Sequence, residues 1–118
     1  MLRRLFSGRK QETVKDWQCH VDGKFKQYER LWAAAHTKWK EAHRNGDQQG
    51  MLTAFEDEGL YLRAEQLAHR DMSLPRDQWD ACRDVDYVAE ARLSLSQSGS
   101  YSDRIDAVER IMSQTPRQ

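Results

Sequence analysis

Long apolar runs and cysteine are both scarce in this chain of 118 residues. No stretch approaches the roughly eighteen consecutive apolar residues that a membrane-spanning helix needs, so the sequence predicts no transmembrane segment. The two cysteines, Cys19 and Cys82, lie far apart and lack the CxxC spacing of a zinc site. A disulfide scaffold and a zinc site are therefore disfavoured, and we expect two buried free thiols.

Motifs that carry chemistry are also missing. The sequence has no glycine-rich phosphate loop, nucleophile elbow or HExxH motif, and its six glycines do not cluster. No two of the four histidines stand four residues apart. Glu65 and His69 do have that spacing, but one such pair is typical of an ordinary contact on a helix surface. We therefore expect no catalytic residue, no metal site and no cofactor.

The net charge is zero, but the two halves of the chain differ. Residues 1–50 carry eleven Lys and Arg against six Asp and Glu, a net charge of +5. Residues 51–118 carry eight, all Arg, against thirteen, a net charge of −5. Such an asymmetry indicates two faces or two partners. A nucleic-acid binder would be basic overall, so nucleic acid is not an expected partner.

The first ten residues contain four basic and no acidic residues, with apolar residues between them. This composition is typical of a mitochondrial targeting element or of a segment that lies on a membrane surface, and also of an ordinary frayed terminus. We treat residues 1–12 as a basic N-terminal segment and residues 13–118 as one helical domain. The basic half is expected to face a negatively charged surface, either anionic lipid headgroups or acidic loops of membrane subunits.

The strongest periodic signal runs from Thr13 to about Arg44. Apolar residues recur every seven positions in two adjacent rows, which are offset by four. The rows are Val14, Val21, Tyr28, Ala35 and Ala42, and then Phe25, Trp32 and Trp39. This alternation predicts one long helix that packs along a single stripe against another helix. Thr13 and Asp16 have the spacing of a capping box, and Asn45-Gly46 favours a left-handed helix end.

This helix would be about 45–50 Å long, which exceeds the size of a compact domain of this length. The later helices are expected to span about 12 to 20 residues each. They would leave a large apolar patch exposed along the first helix. We interpret Phe25, Trp32 and Trp39 as packing surface that a partner covers, rather than as a cofactor site. The isolated chain is accordingly expected not to be fully stable alone.

Shorter elements are predicted after the long helix. Asp47 to Gly50 is expected to be a polar loop, and Met51 to Phe55 either opens a helix or forms its own turn. Glu56 to Glu58 suits a helix N-terminus, and Gly59 leaves room for a break. The inward stripe of the second helix is Leu60, Ala64 and Leu67.

A turn is predicted at Leu74-Pro75, because proline biases the preceding residue away from helical geometry. The third helix is expected from Pro75 to Ser96, capped by Ser73. Its predicted inward face is Trp79, Cys82, Ala89 and Leu93, with Val85, Val88 and Leu95 beside it. Ser94 to Ser102 is predicted to be a flexible link. A last helix from Asp103 to about Ser113 is expected to bury Ile105, Val108 and Met112.

The predicted fold class is therefore all-α. It consists of a long N-terminal helix, a central helix–Pro-turn–helix and a short C-terminal helix.

The region around the proline turn carries a family resemblance. Its residues are Arg63-Ala64, Leu74-Pro75, Arg76, Asp77 and Trp79, followed by the acidic run Asp84, Asp86 and Tyr87 and preceded by Glu56-Asp57-Glu58 and Tyr61. This pattern resembles the 14 kDa subunit family of mitochondrial respiratory complex III, also called the ubiquinol–cytochrome c reductase binding protein. The resemblance covers residues 56–95, about a third of the chain.

The resemblance implies a non-catalytic accessory subunit that is needed for assembly. Such a subunit packs on cytochrome b and the core proteins at the matrix side of the mitochondrial inner membrane, as a peripheral component without haem or iron–sulfur centre. It also implies structural or partner-contact roles for Arg63, Leu74, Pro75, Trp79 and Tyr87.

Two alternatives from other classes stay open. One is a free-standing small helical interaction protein, such as a phage or plasmid inhibitor or an adaptor. The other is a helical small subunit associated with a ribonucleoprotein, which the acidic second half disfavours.

Overall fold

The computed structural model describes residues 12–97 and 101–114. These residues form five α-helices and a short 3₁₀ helix, with no strand in the part described, so the all-α prediction is confirmed. The α-helices are α1 (Val14–Arg44), α2 (Gln48–Asp71), α3 (Trp79–Cys82), α4 (Tyr87–Ser96) and α5 (Tyr101–Gln114). The 3₁₀ helix, Arg76–Gln78, directly precedes α3.

The long first helix forms as the periodicity predicts. Thr13 accepts a hydrogen bond from the Asp16 N–H, and the Asp16 carboxylate accepts one from the Thr13 N–H, which completes a capping box. At the other end Gly46 takes a φ of 68°, the left-handed geometry that glycine accepts without strain. The residues that α1 buries are Trp17, Val21, Tyr28, Ala35 and Ala42. Val14 is the exception in the predicted row, because it stays 55% exposed.

The second helix is longer than predicted, and the expected loop and break are absent. The predicted loop at residues 47–50 is instead a helix start, because the Asp47 carboxylate accepts a hydrogen bond from the Gly50 N–H at 2.9 Å. Gly59 lies inside α2, where Val108 of α5 packs directly against it. Glu58 is therefore a buried mid-helix residue rather than part of a helix N-terminus.

The third helix is interrupted, which the sequence did not predict. Pro75 precedes the 3₁₀ helix with a φ of −65° and a ψ of 152°, without a side-chain cap from Ser73. The chain leaves helical geometry again after Arg83 and restarts at α4, where the Asp86 carboxylate accepts a hydrogen bond from the Ala89 N–H. The Lys24 ammonium donates to the backbone carbonyls of Arg83 and Val85, at 2.8 and 3.0 Å, so the carbonyls freed by the break are satisfied.

This restart changes which face of the region is buried. Trp79 is buried and Cys82 is half-buried, as predicted, but Ala89 is exposed and Leu93 is 61% exposed. Tyr87 and Ala91 are buried in their place. The predicted face was wrong for Ala89 and Leu93 because it assumed one helical phase from Pro75 to Ser96, whereas the break at residues 83–86 resets that phase. The adjacent predicted row, Val85, Val88 and Leu95, does pack against the core.

The C-terminal region differs modestly from the prediction. Helix α4 continues to Ser96, and α5 begins at Tyr101 rather than Asp103. Of the expected link, residues 98–100 lie outside the described part, as do residues 1–11 of the N-terminal segment. Val108 is buried as predicted, whereas Ile105 and Met112 are half-buried.

The helices assemble around a long hairpin. Helices α1 and α2 run antiparallel, because Trp17 near the start of α1 bonds to Asp71 at the end of α2, while a loop of a few residues joins their other ends. Helices α4 and α5 pack on α2, and the molecule measures 62 × 27 × 20 Å. Since α2 has 24 residues, it follows most of the length of α1.

Two expectations about exposure are wrong. The described residues show no large apolar patch, because the exposed large apolar side chains are only Val14, Leu31 and Leu93, at scattered positions. The prediction failed because it underestimated the length of α2. Cys19 is also exposed rather than buried, and both cysteines are free thiols.

Candidate interaction surfaces

Two indoles stack at the proline turn. The rings of Trp17 and Trp79 lie 5.5 Å apart at their centroids, and their planes differ by 7°. The Trp17 indole N–H donates to the Asp71 carbonyl at 2.8 Å, and the Trp79 indole N–H donates to the Leu74 carbonyl at the same distance. The Trp17 bond joins the start of α1 to the end of α2, and the Trp79 bond spans the turn that contains Leu74 and Pro75. The stacked rings connect these two parts.

A buried tyrosine–aspartate pair lies beside the indoles. The Tyr87 hydroxyl donates to the Asp71 carboxylate at 2.5 Å, and Arg70 donates to the other carboxylate oxygen at 2.9 Å. Tyr28 packs its ring edge-on against Tyr87, at 6.3 Å between centroids. Burial and the Asp71 carboxylate raise the pKa of Tyr87, so the phenol stays neutral and keeps its role as donor.

An ion pair attaches the segment before α1 to the same region. The Arg83 guanidinium donates to both carboxylate oxygens of Glu12, at 3.0 and 2.6 Å, and lies over the Trp17 ring. Hydrogen bonding to Arg83 lowers the pKa of Glu12. Arg76 donates to the Glu12 backbone carbonyl and lies over the Trp79 ring. Together these contacts hold Glu12, the residue before the N-cap of α1, against the region of the proline turn.

The structure brings several of the residues that carry the family resemblance together at or beside the turn. Leu74, Trp79 and Tyr87 pack in the core there, and the Pro75 carbonyl accepts a hydrogen bond from the Gln78 N–H. Arg63 lies elsewhere, half-buried on α2, and donates to the Gln66 side chain at 3.1 Å. The contacts described for these residues are internal ones that hold the fold.

A second cluster lies on α1, towards the loop that joins it to α2. Four aromatic rings stack there in sequence with nearly parallel planes, at centroid distances of 4.9, 6.2 and 5.1 Å. We call these residues the aromatic row: Trp32, His36, Trp39 and His43. His43 is exposed and the other three are half-buried, so the row presents ring edges at the surface. Phe25 lies further towards the start of α1, against His69 of α2.

The aromatic row contacts a buried carboxylate of α2. His36 Nδ1 lies 3.4 Å from Glu58 Oε1, and the Glu58 side chain is only 3% exposed. Burial raises the pKa of Glu58, while the neighbouring His36 acts in the opposite direction. Sequence reasoning identified Trp32 and Trp39 but missed His36, His43 and Glu58. The sequence contains a signal for the two histidines, because positions 32, 36, 39 and 43 lie on one helix face.

Two clefts lie on the surface of the described residues. The larger one has a volume of about 510 Å³ and lies where α1 ends and α2 begins, with polar side chains such as Lys38, Glu41 and Thr53 in its lining. The smaller one, of about 230 Å³, lies between α2, α4 and α5, and Arg92 and Leu95 line it. Asp57 lines both clefts, and burial raises its pKa.

Within residues 12–97 and 101–114, no three His, Cys, Asp or Glu side chains come together as a metal site would require. None of the helices in that part of the chain has both the length and the apolar character for crossing a bilayer.

Comparison with known proteins gives no match to a family model, a curated protein or a solved structure.

Proposed function

We propose that this chain is a non-catalytic helical protein that acts by binding a protein partner through the aromatic row. In its specific form, the proposal is an accessory and assembly subunit of mitochondrial respiratory complex III. It would pack there on cytochrome b and the core proteins, at the matrix side of the inner membrane, with a peripheral contact to the membrane surface. Electron transfer would belong to its neighbours.

The observation that carries the proposal is the exposure of the aromatic row. Aromatic side chains are enriched at protein interfaces because they offer a large rigid area at low entropic cost. Trp32, His36 and Trp39 remain half-buried although α2 follows α1 along most of its length. A partner that covers their ring edges would bury the apolar surface that the fold leaves accessible.

The complex III form rests on the resemblance at residues 56–95. Its residues Leu74, Pro75, Trp79 and Tyr87 determine how α2 joins α4, and this junction sets the shape that a partner would meet. The Arg83–Glu12 ion pair holds the segment just before α1 beside the turn. In the sequence, residues 1–10 carry four basic residues. Those cations suit an anionic membrane surface, to which each contributes about 1 kcal/mol.

Native purification of the tagged chain from its own cells tests the proposal. We expect it to co-migrate with a complex that contains haem b. A pair of single variants of α1 tests the surface: His43→Glu lies on the aromatic row, and Thr37→Glu lies off it, and both positions are exposed. Loss of co-migration with His43→Glu alone supports the row as the contact. Purification of the wild-type chain as a monomer without partners contradicts the complex III form.

A second candidate is a free-standing helical interaction protein, such as an inhibitor or an adaptor. The closed core favours it, because Trp17, Tyr28, Trp79 and Tyr87 are all buried without any partner chain. This candidate predicts a stable monomer that captures one target through the aromatic row. Capture of a protein outside the respiratory chain by the wild type and by Thr37→Glu, but not by His43→Glu, would favour it over the complex III form.

A further inference from the structure

Glu58 is a carboxylate buried inside the interface of the α1–α2 hairpin. Its side chain is 3% exposed, and His36 of α1 lies against it with a nitrogen–oxygen distance of 3.4 Å. His36 in turn stacks between Trp32 and Trp39, with ring planes that differ by 9° and 1°. The imidazole thus links the buried carboxylate to the aromatic row.

The other charged groups around this pair act elsewhere. On the α5 side, Arg104 pairs with Glu56 at 2.6 Å. On the α4 side, Arg92 acts on Asp57, as does Lys38 of α1. Among the described residues, His36 is the one charged neighbour that acts on the Glu58 carboxylate.

Two further groups lie near the pair along the helices themselves. Glu65 is buried two turns further along α2, on the same face as Glu58. On α1, Lys40 follows His36 by one turn and is exposed, and His43 stacks on the far side of Trp39. None of these groups lies between Glu58 and His36, so the proton balance of this interface is set mainly by the pair.

We propose that His36 and Glu58 form a pH-sensitive contact that holds α1 against α2 at the aromatic row. While Glu58 is protonated, its carboxyl group is neutral and lies in hydrogen-bonding contact with His36. When the pH rises, the Glu58 carboxyl group releases its proton to solvent. A charged carboxylate then remains buried between the two helices, which is costly. The hairpin loosens there, and the aromatic row becomes more mobile.

The direction in which stability changes with pH follows from the shift in the pKa of Glu58. Burial raises its pKa in the folded protein above the ordinary value. A carboxyl group whose pKa is higher in the folded than in the unfolded protein stabilises the fold fully at a pH below the unfolded-state pKa. This stabilisation is lost as the pH rises through the folded-state pKa. Acidification from alkaline pH should therefore tighten this end of the hairpin. This property does not depend on which partner the row binds.

Thermal unfolding of the full chain from pH 5 to pH 9 tests the contact. Glu58→Gln removes the titrating group and keeps the shape of the side chain, and Glu41→Gln at an exposed position of α1 is the matched control. Relative to the wild type, we expect the Tm of Glu58→Gln to rise between pH 5 and pH 9 by about 4 °C or more. Glu41→Gln should follow the wild type throughout. Parallel curves for the wild type and Glu58→Gln would overturn the proposal.

Two further measurements localise the effect and guard against a misfolded variant. Amide hydrogen exchange, corrected for its intrinsic pH dependence, should show faster opening of residues 32–44 at alkaline pH in the wild type. Residues 14–24 of the same helix serve as the internal reference. His36→Gln removes the group that opposes the effect of burial on the pKa of Glu58, so the Tm of this variant should fall more steeply with pH than that of the wild type. An equal slope in His36→Gln, or opening that is uniform along α1, would also contradict the proposal.

Discussion

Trp79 is the side chain that ties the proline turn to the start of the molecule. It is buried, stacks on Trp17 and donates its N–H to the Leu74 carbonyl. We expect Trp79→Ala to lower the free energy of unfolding by about 3 kcal/mol, because it leaves a cavity and removes a stacked partner. Urea denaturation followed by circular dichroism measures this. Leu93→Ala, at a 61% exposed position, is the control and should cost less than about 0.5 kcal/mol. Equal stabilities of the two variants would contradict this role.

Tyr87 supplies a neutral hydrogen-bond donor to the buried Asp71 carboxylate. Removal of the hydroxyl in Tyr87→Phe leaves one buried carboxylate oxygen without its donor, at a cost of about 1–3 kcal/mol near pH 7. The pKa of Tyr87 is raised by burial first and by Asp71 second. Its contribution to stability is therefore complete below the ordinary tyrosine value of about 10 and is lost as the pH rises above it.

Denaturation at pH 8 and at pH 10.5 tests both parts of this expectation. The stability difference between the wild type and Tyr87→Phe should shrink at the higher pH. Tyr61→Phe is a suitable control, because its hydroxyl makes no hydrogen bond to the residues that the structure describes. A difference that stays constant across this range would show that the hydroxyl does not titrate as argued.

Single residues were predictable where a local rule determines their role. Thr13 and Asp16 form a capping box because their spacing alone allows it. The Tyr87–Asp71 bond and the His36–Glu58 contact join residues that are 16 and 22 positions apart. Such contacts depend on how whole helices pack, and no spacing rule within one helix encodes that.

At the scale of the helices, substitution to alanine is expected to have opposite effects on stability at two glycines, because their surroundings differ. A Cβ added at Gly23 of α1 would meet no atom within 4 Å. A Cβ added at Gly59 of α2 would lie 2.5 Å from a methyl group of Val108. Alanine favours a helix by about 1 kcal/mol over glycine, so Gly23→Ala should stabilise the protein by about that amount.

Gly59→Ala should instead be destabilising by about 1 kcal/mol or more, because overpacking against α5 outweighs the gain in helix propensity. Thermal and urea unfolding of the two variants side by side give the comparison. If both variants stabilised the protein equally, α5 would not pack on α2 at Gly59 as closely as the structure has it.

These two glycines also show why the helices were only partly predictable. Gly59 suggested a break because glycine is a poor helix former, but close packing against Val108 makes a missing side chain an advantage there. The restart of the chain at Asp86 was missed for a related reason. Lys24 of α1 satisfies the carbonyls that the break frees, and a residue about sixty positions away cannot be read from the local pattern. By contrast, α1 was predicted nearly to the residue, because its heptad pattern is long and regular.

At the scale of the whole molecule, the length of α2 decides how much of α1 remains accessible. Its 24 residues cover far more of α1 than helices of 12 to 20 residues would. The apolar surface left open is therefore the half-buried aromatic row rather than a large continuous patch. The expectation that the isolated chain is not fully stable alone assumed such a patch, and thermal unfolding of that chain is the measurement that tests it.

We expect the isolated chain to be a monomer that unfolds in one cooperative transition. The core joins α1, α2 and α4 through buried side chains that include Trp17, Leu60 and Tyr87, and such linked packing melts as a unit. Size-exclusion chromatography with light scattering, near-ultraviolet circular dichroism and calorimetry together measure this. Helical content without a cooperative transition would mean that the fold needs its partner, and stability would then rise with partner concentration. A cooperative monomer would show that folding precedes binding, which a free-standing interaction protein requires and an accessory subunit allows.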